Sequence, residues 1–186
     1  MAPFISAYWY ALALVLSYMS IWYIAALYRK DNSIVDIAWG TNFILMGWFT
    51  LLQYGPISWK GALITVLVTI WGVRLSLHIY ARHNGEDPRY AQWREAWEYV
   101  NLRSFLQVFM LQGFVSSIIA IPVIYANVTL ASLGIWDVIG GSVWAIGFLC
   151  EVIADWQLQR FIEHNQEEGA IMMSGLWRYS RHPNYF

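Results

Sequence analysis

FISAYWYALALVLSYMSIWYIAAL, residues 4–27, contains no charged residue. About 20 apolar residues in helical form cross a bilayer, so this stretch decides the class of fold. It does not read as a cleaved signal: no basic residue precedes it, and no small-residue cleavage site follows before Arg29 and Lys30. Working outward, four further runs share its character. They are residues 34–54, broken by Gly55-Pro56, then 61–81, then 105–125 with Pro122 near the end, then 138–158. Lipid offers no partner to unpaired backbone groups, so all five are expected to be helices. The expected fold is all-α: a multi-pass transmembrane helix bundle of at least five spans, with residues 1–186 forming a single membrane domain.

Composition agrees and excludes other classes. The 186 residues are 59% hydrophobic and 12% charged, whereas a soluble domain carries about a quarter charged residues. Few charges and many aromatics are the reverse of disorder. With 11 basic residues against 12 acidic, there is no excess to hold nucleic acid. Cys150 is the single cysteine, which rules out a disulfide scaffold. Twelve tryptophans suit several membrane interfaces. The four histidines show no close ligand spacing, and no metal is expected.

Basic residues set an orientation. Arg29, Lys30, Arg82, Arg89, Arg94, Arg103, Arg160, Arg178 and Arg181 fall on one side of the alternating loops. Lys60 alone falls on the other, and Arg74 lies within a span. Basic loops stay cytoplasmic, so the C-terminal tail is expected there and the N-terminus opposite. The same bias fits the endoplasmic reticulum or a bacterial inner membrane.

Ionisable residues inside spans are the informative exceptions, because each costs about 2.5–3.5 kcal/mol at the bilayer centre on insertion scales. Asp36 opens the second span, Arg74 and His78 lie in the last turns of the third, and Glu151 and Asp155 in the last turns of the fifth. All five fall in the same half of the membrane. Arg74, His78 and Arg82 share one helix face, and Glu151, Asp155 and Gln159 share another. Facing each other, with Arg74 near Glu151 or Asp155, they would line a polar pocket open to the cytoplasm. The plainer alternative is snorkelling at the interface and an ion pair that only ties helices together.

Two further segments stand out. Residues 83–90, HNGEDPRY, read as a tight turn. Trp93 and Trp97 then follow in a short surface helix over 90–100, read as an aromatic anchor in the headgroup layer. The tail, GLWRYSRHPNYF at 175–186, gathers arginines for phosphate recognition and aromatics that can stack on a flat ring. No glycine-rich dinucleotide fingerprint accompanies them.

That tail closely resembles the signature of the steroid 5-alpha-reductase C-terminal-domain family, nearest its DUF1295 branch. IVDIAWG at 34–40, WGVRL at 71–75, residues 85–90, and the Glu-x-x-x-Asp of 151–155 resemble the same branch. The resemblance implies a helical membrane fold that binds NADPH in a cytoplasm-facing cavity. It also implies hydride transfer to the enone double bond of a steroid- or sterol-like substrate. By motif, Asp155 falls on a cofactor-binding aspartate, Asn184 on the signature asparagine, and Tyr185 beside it. Glu151 falls where the steroid reductases have an asparagine. A basic residue follows that helix in those reductases, with Arg160 as its candidate here.

The expected cofactor-binding set is Arg74, Arg82, Glu151, Asp155, Tyr179, Arg181, His182, Asn184 and Tyr185. Asp36 and His78 are the expected catalytic residues, polarising the substrate carbonyl. His182-Pro183 departs from the steroid reductases and resembles the isoprenylcysteine and phospholipid methyltransferases, which bind S-adenosylmethionine. A methyltransferase is therefore one rival reading, and a non-enzymatic membrane remnant another. Family members continue past this signature with Gly-Glu and further spans, so the chain is expected to lack its C-terminal part. Without those spans the tail is expected to fray. Ordering its six cofactor residues would cost about 6–12 kcal/mol and leave NADPH binding weak.

Overall fold

The computed structural model describes residues 2–54, 56–164 and 169–185. Gly55 of the expected Gly55-Pro56 break and Phe186 of the tail motif lie outside them. Helices are the only regular elements among the described residues, and five of them are long and apolar enough to cross a membrane. It forms two compact units, Met1–Ser132 and Leu133–Phe186.

The first unit begins with α1 (Ala2–Arg29), about 42 Å long at 1.5 Å per residue and so longer than the hydrocarbon layer. A 3₁₀ turn at Asn32–Ile34 leads into α2 (Val35–Gln53), and α3 (Trp59–Arg82) follows. Then come α4 (Pro88–Ala96) and α5 (Val100–Arg103), which runs through a π-helical stretch, Ser104–Met110, into α6 (Leu111–Ile119). Last is α7 (Ile121–Val128).

Small residues bring α2 and α3 together. A Cβ on Gly40 would lie 2.2 Å from the Gly72 carbonyl oxygen, and one on Gly72 2.5 Å from that of Gly40. The two backbones therefore touch, the packing membrane helices use where no hydrophobic force separates helix from lipid. Ser76 adds a hydrogen bond from its Oγ to the Ile37 carbonyl, 2.8 Å. Farther along, the buried amide of Asn127 on α7 ties three helices. Its Nδ2 donates to Gly47 O and Thr50 Oγ1 on α2, at 2.8 and 2.9 Å, and its Oδ1 accepts from Thr65 on α3 at 3.2 Å. Two apolar clusters complete the core. One centres on Met19, Val35 and Phe109, the other on Val15, Phe43 and Met46.

The second unit is α8 (Ile135–His164) with the tail folded back along it. The expected fraying of the tail is not what forms. Leu176 N donates to Gln157 Oε1 and Trp177 Nε1 to the Ala154 carbonyl, both at 3.0 Å, and Pro183 is buried. These contacts tie the tail to α8. Gly175 is needed for the fold-back: its φ is +62°, and a Cβ would meet the Gln157 amide at 2.5 Å.

Several expected boundaries shift, the surface helix ending at Ala96 rather than at 100 and the fifth span running over Ile135–His164, and two of the changes follow from prolines. The fourth span starts at Val100 and ends at Ile119, not Tyr125, because Pro122 has no N–H to donate to the preceding turn and restarts the helix as α7. Pro88 is not part of a turn but the first residue of α4, whose N-cap is Asp87.

Candidate functional site

In the first unit, the loops after α1 and α3 are bound together by charge. Asp31 Oδ1 accepts from Ser33 N and Oγ, at 2.9 and 2.6 Å, and Oδ2 meets His83 Nε2 at 2.8 Å. Glu86 accepts from Asn32 N at 2.9 Å and from Arg94 at 2.5 Å. Tyr90 is buried and donates its hydroxyl to Asp36 Oδ1 at 2.8 Å, while Arg89 stands 4.0 Å from Oδ2. Asp36, at the start of α2, is thus an acceptor with a phenol on one oxygen and a cation near the other. Burial, and then the neighbouring carboxylate, raise the Tyr90 pKa above the ordinary phenol range, so Tyr90 keeps its proton.

Asp87 caps α4 by accepting from Arg89 N at 2.9 Å and pairs with the Arg89 side chain. The Arg89 hydrogen bond holds the Asp87 carboxyl below its usual range. A lowered folded pKa means the stabilisation is complete above the unfolded pKa, about 4, and is lost as pH falls through the folded value. Asp87→Ala is expected to cost about 1 kcal/mol at neutral pH, as a lost N-cap does. Melting curves of wild type and variant should converge in acid. A gap unchanged down to about pH 2 would contradict the assignment.

The expected shared face of α3 is present at its end: Arg82 Nη1 lies 3.4 Å from His78 Nε2, and Arg74 and His78 are half-buried. Arg74, His78 and Arg82 belong to the first unit. Glu151 and Asp155 belong to the second, as do the tail residues.

In the second unit Asp155 is buried at 7% exposure and accepts from Asn184 Nδ2 at 3.0 Å. Asn184 Oδ1 is also buried, and among the described residues it has no hydrogen-bond partner. His182 and Tyr185 stack, with ring centroids 4.9 Å apart and planes 11° from parallel. Glu151 is half-buried one turn before Asp155, while Tyr179 and Arg181 are exposed. Alongside runs a groove of about 400 Å³ lined by Trp156, Gln157, Arg160, Phe161, His164, Met172, Ser174 and Gly175. Arg160 sits over the Trp156 ring, 4.8 Å from its centroid.

The groove joins cationic and aromatic groups, a lining that can meet both phosphate and ring parts of a ligand. Sequence reasoning missed Asp31, Glu86, Arg94, Gln157 and Trp177. Asp31-Asn32-Ser33, a capping sequence between two spans, was a readable signal for the first of these. The partners of the others are set by packing.

Residues 21–186 match the model of a family described as Protein of unknown function (DUF1295). Uncharacterized protein C594.04c of Schizosaccharomyces pombe (strain 972 / ATCC 24843) is 25% identical over 190 residues, 86% of this chain and 55% of that protein. The chain thus spans about half the length of the curated relative it matches. No solved structure matches the chain. With the family model covering all but the first residues, the chain is a member of the DUF1295 family.

Proposed function

We propose that the chain is a membrane reductase that uses NADPH to reduce the carbon–carbon double bond of a lipophilic enone, steroid- or sterol-like in size. The Asp155–Asn184 contact carries this reading. A buried carboxylate holds the signature asparagine, whose second polar atom, Oδ1, is buried and meets no donor among the described residues. Arg160, His164 and Arg181 offer donors to phosphate groups, and Trp156 and the His182–Tyr185 pair offer flat faces to rings. NADPH supplies a hydride when bound.

The acid that polarises the carbonyl is assigned to Asp36 or His78. A donor at that oxygen grows stronger as negative charge builds there. The Tyr90 phenol donates a hydrogen bond to Asp36 and holds its carboxyl in place.

His182-Pro183 favours one second reading, methyl transfer from S-adenosylmethionine. Titrating the purified chain with each cofactor, following NADPH fluorescence and S-adenosylmethionine calorimetry, separates the two. Saturable NADPH binding with S-adenosylmethionine inert supports the reductase. The reverse pattern overturns it in favour of the methyltransferase, and silence from both favours a scaffold.

The loop-charge bias supports a cytoplasmic tail. Single cysteines at positions 58 and 92 are expected to label from opposite faces of sealed vesicles. Labelling from one face would refute that sidedness.

A further inference from the structure

At the end of α1 the chain turns through a Schellman motif, with Asp31 N donating to the Ala26 carbonyl at 3.1 Å. The left-handed position in this motif ordinarily takes glycine, but here it is Lys30, at φ 55°. It is the single left-handed residue other than glycine among the described residues. Lysine bears a steric penalty at that backbone which glycine would not. Among the described residues its ammonium has no hydrogen-bond or ion-pair partner.

Beside it lies a cavity of about 80 Å³. Lys30, Arg94 and Asn101 bring donors to its wall, and Ala26, Leu27 and Val100 bring apolar surface. The one carboxylate in the wall, Asp31, has both oxygens engaged, by Ser33 and His83. Arg94 gives its two terminal nitrogens to the Lys30 carbonyl and to Glu86, both at 2.5 Å, so its charge is cancelled. Lys30 is left as the cation in the wall whose charged end none of these contacts engages. The volume suits a phosphate-sized anion and is too small for a nucleotide.

Depth decides what carries that anion. A helix as long as α1 ends at headgroup level, and Leu27 and Tyr28, just before the cavity, are exposed, Tyr28 at 86%. An anion seated at Lys30 with apolar surface leading away along the span is the geometry of a phospholipid.

We propose that this cavity binds the phosphate of an anionic phospholipid through Lys30, with the acyl chains running along the exposed face of α1. The proposal is independent of the reductase reading. The test uses the full chain in phosphatidylcholine bilayers with increasing phosphatidylglycerol, and thermal unfolding read by tryptophan fluorescence. The melting temperature is expected to rise with phosphatidylglycerol and saturate. Lys30→Gly is expected to weaken the apparent affinity about fivefold, the share of one lysine near an anionic surface. It should not lower the melting temperature in pure phosphatidylcholine, because glycine relieves the left-handed strain. Lys30→Asn, which also tolerates that conformation, gives the same readout if the glycine variant folds poorly. Lys60→Ala, at the start of α3, should leave the lipid response unchanged. No response to phosphatidylglycerol, an equal response in the Lys30 variants, or a full response to inorganic phosphate in pure phosphatidylcholine would each overturn the proposal.

Discussion

Gly40→Val is expected to yield no stably folded first unit. Its Cβ would fall 2.2 Å from the Gly72 carbonyl oxygen, 2.9 Å from the carbonyl carbon and 2.6 Å from Ser76 Oγ. A side chain can swing away from such a contact, but a carbonyl can move only with its helix. Separating α2 from α3 also breaks the Ser76–Ile37 hydrogen bond and loosens the Asn127 network farther along the pair. Overpacking that a core can absorb costs about 1–3 kcal/mol. A backbone collision lies beyond that range, above about 4 kcal/mol, a large fraction of the 5–15 kcal/mol that holds a typical domain together. Gly140→Ala on α8 is the control, since no described atom lies within 4 Å of its added Cβ. It should be neutral or gain up to about 1 kcal/mol of helix propensity. The readouts are yield of monodisperse protein in detergent and melting temperature. Gly40→Val melting within a few degrees of wild type would show that the two helices do not meet at these glycines.

The second large effect is expected at Asp155. Asp155→Ala removes the buried acceptor that holds Asn184 Nδ2, beside an Oδ1 that already meets no donor among the described residues. Hydrogen bonds to charged groups contribute about 1.5–3 kcal/mol, so NADPH affinity should fall roughly 10- to 150-fold. The tail should also become easier to cleave after the exposed Tyr179 and Arg181 by limited proteolysis, because one of its anchors on α8 is gone. Asp155→Asn separates the two consequences. It keeps an acceptor oxygen at the same place, so protease resistance should survive while any contribution of the charge to cofactor binding is lost. Unchanged NADPH affinity in Asp155→Ala would remove the central support for the cofactor reading. Weakened affinity with an undisturbed tail would show that Asp155 acts on the ligand directly.

The spans were readable because lipid gives the chain no choice. An uncharged stretch such as residues 4–27 must be helical wherever it packs, and no long-range information is needed to see it. The errors fell where one residue changes the local rules, as Pro122 does in splitting α6 from α7 and Pro88 in opening α4. The site was readable as a pattern of depth and less so as contacts. Spacing along α3 put His78 and Arg82 on one face, and the two do meet. Nothing in the spacing links Asp31 to His83, Glu86 to Asn32 or Tyr90 to Asp36, pairs more than 50 positions apart that form only once the loops pack. The tail was misjudged for the same reason. Its order comes from Ala154, Asp155 and Gln157 on a distant stretch of the chain, which a reading of the tail alone cannot weigh.

The Asn127 network has a consequence for biogenesis. α2 and α3 are consecutive hydrophobic segments and can pair through Gly40 and Gly72 as soon as Arg82 has left the ribosome. Their mating surface then still lacks the carboxamide of α7, which Thr65 donates to and which donates to Thr50 Oγ1. Until Asn127 is synthesised and docks, the nascent hairpin presents an incomplete polar notch to the lipid, and afterwards the notch is closed. Docking of α7 therefore closes the polar contacts of the α2–α3 pair, so the hairpin is complete only once the third helix has been made.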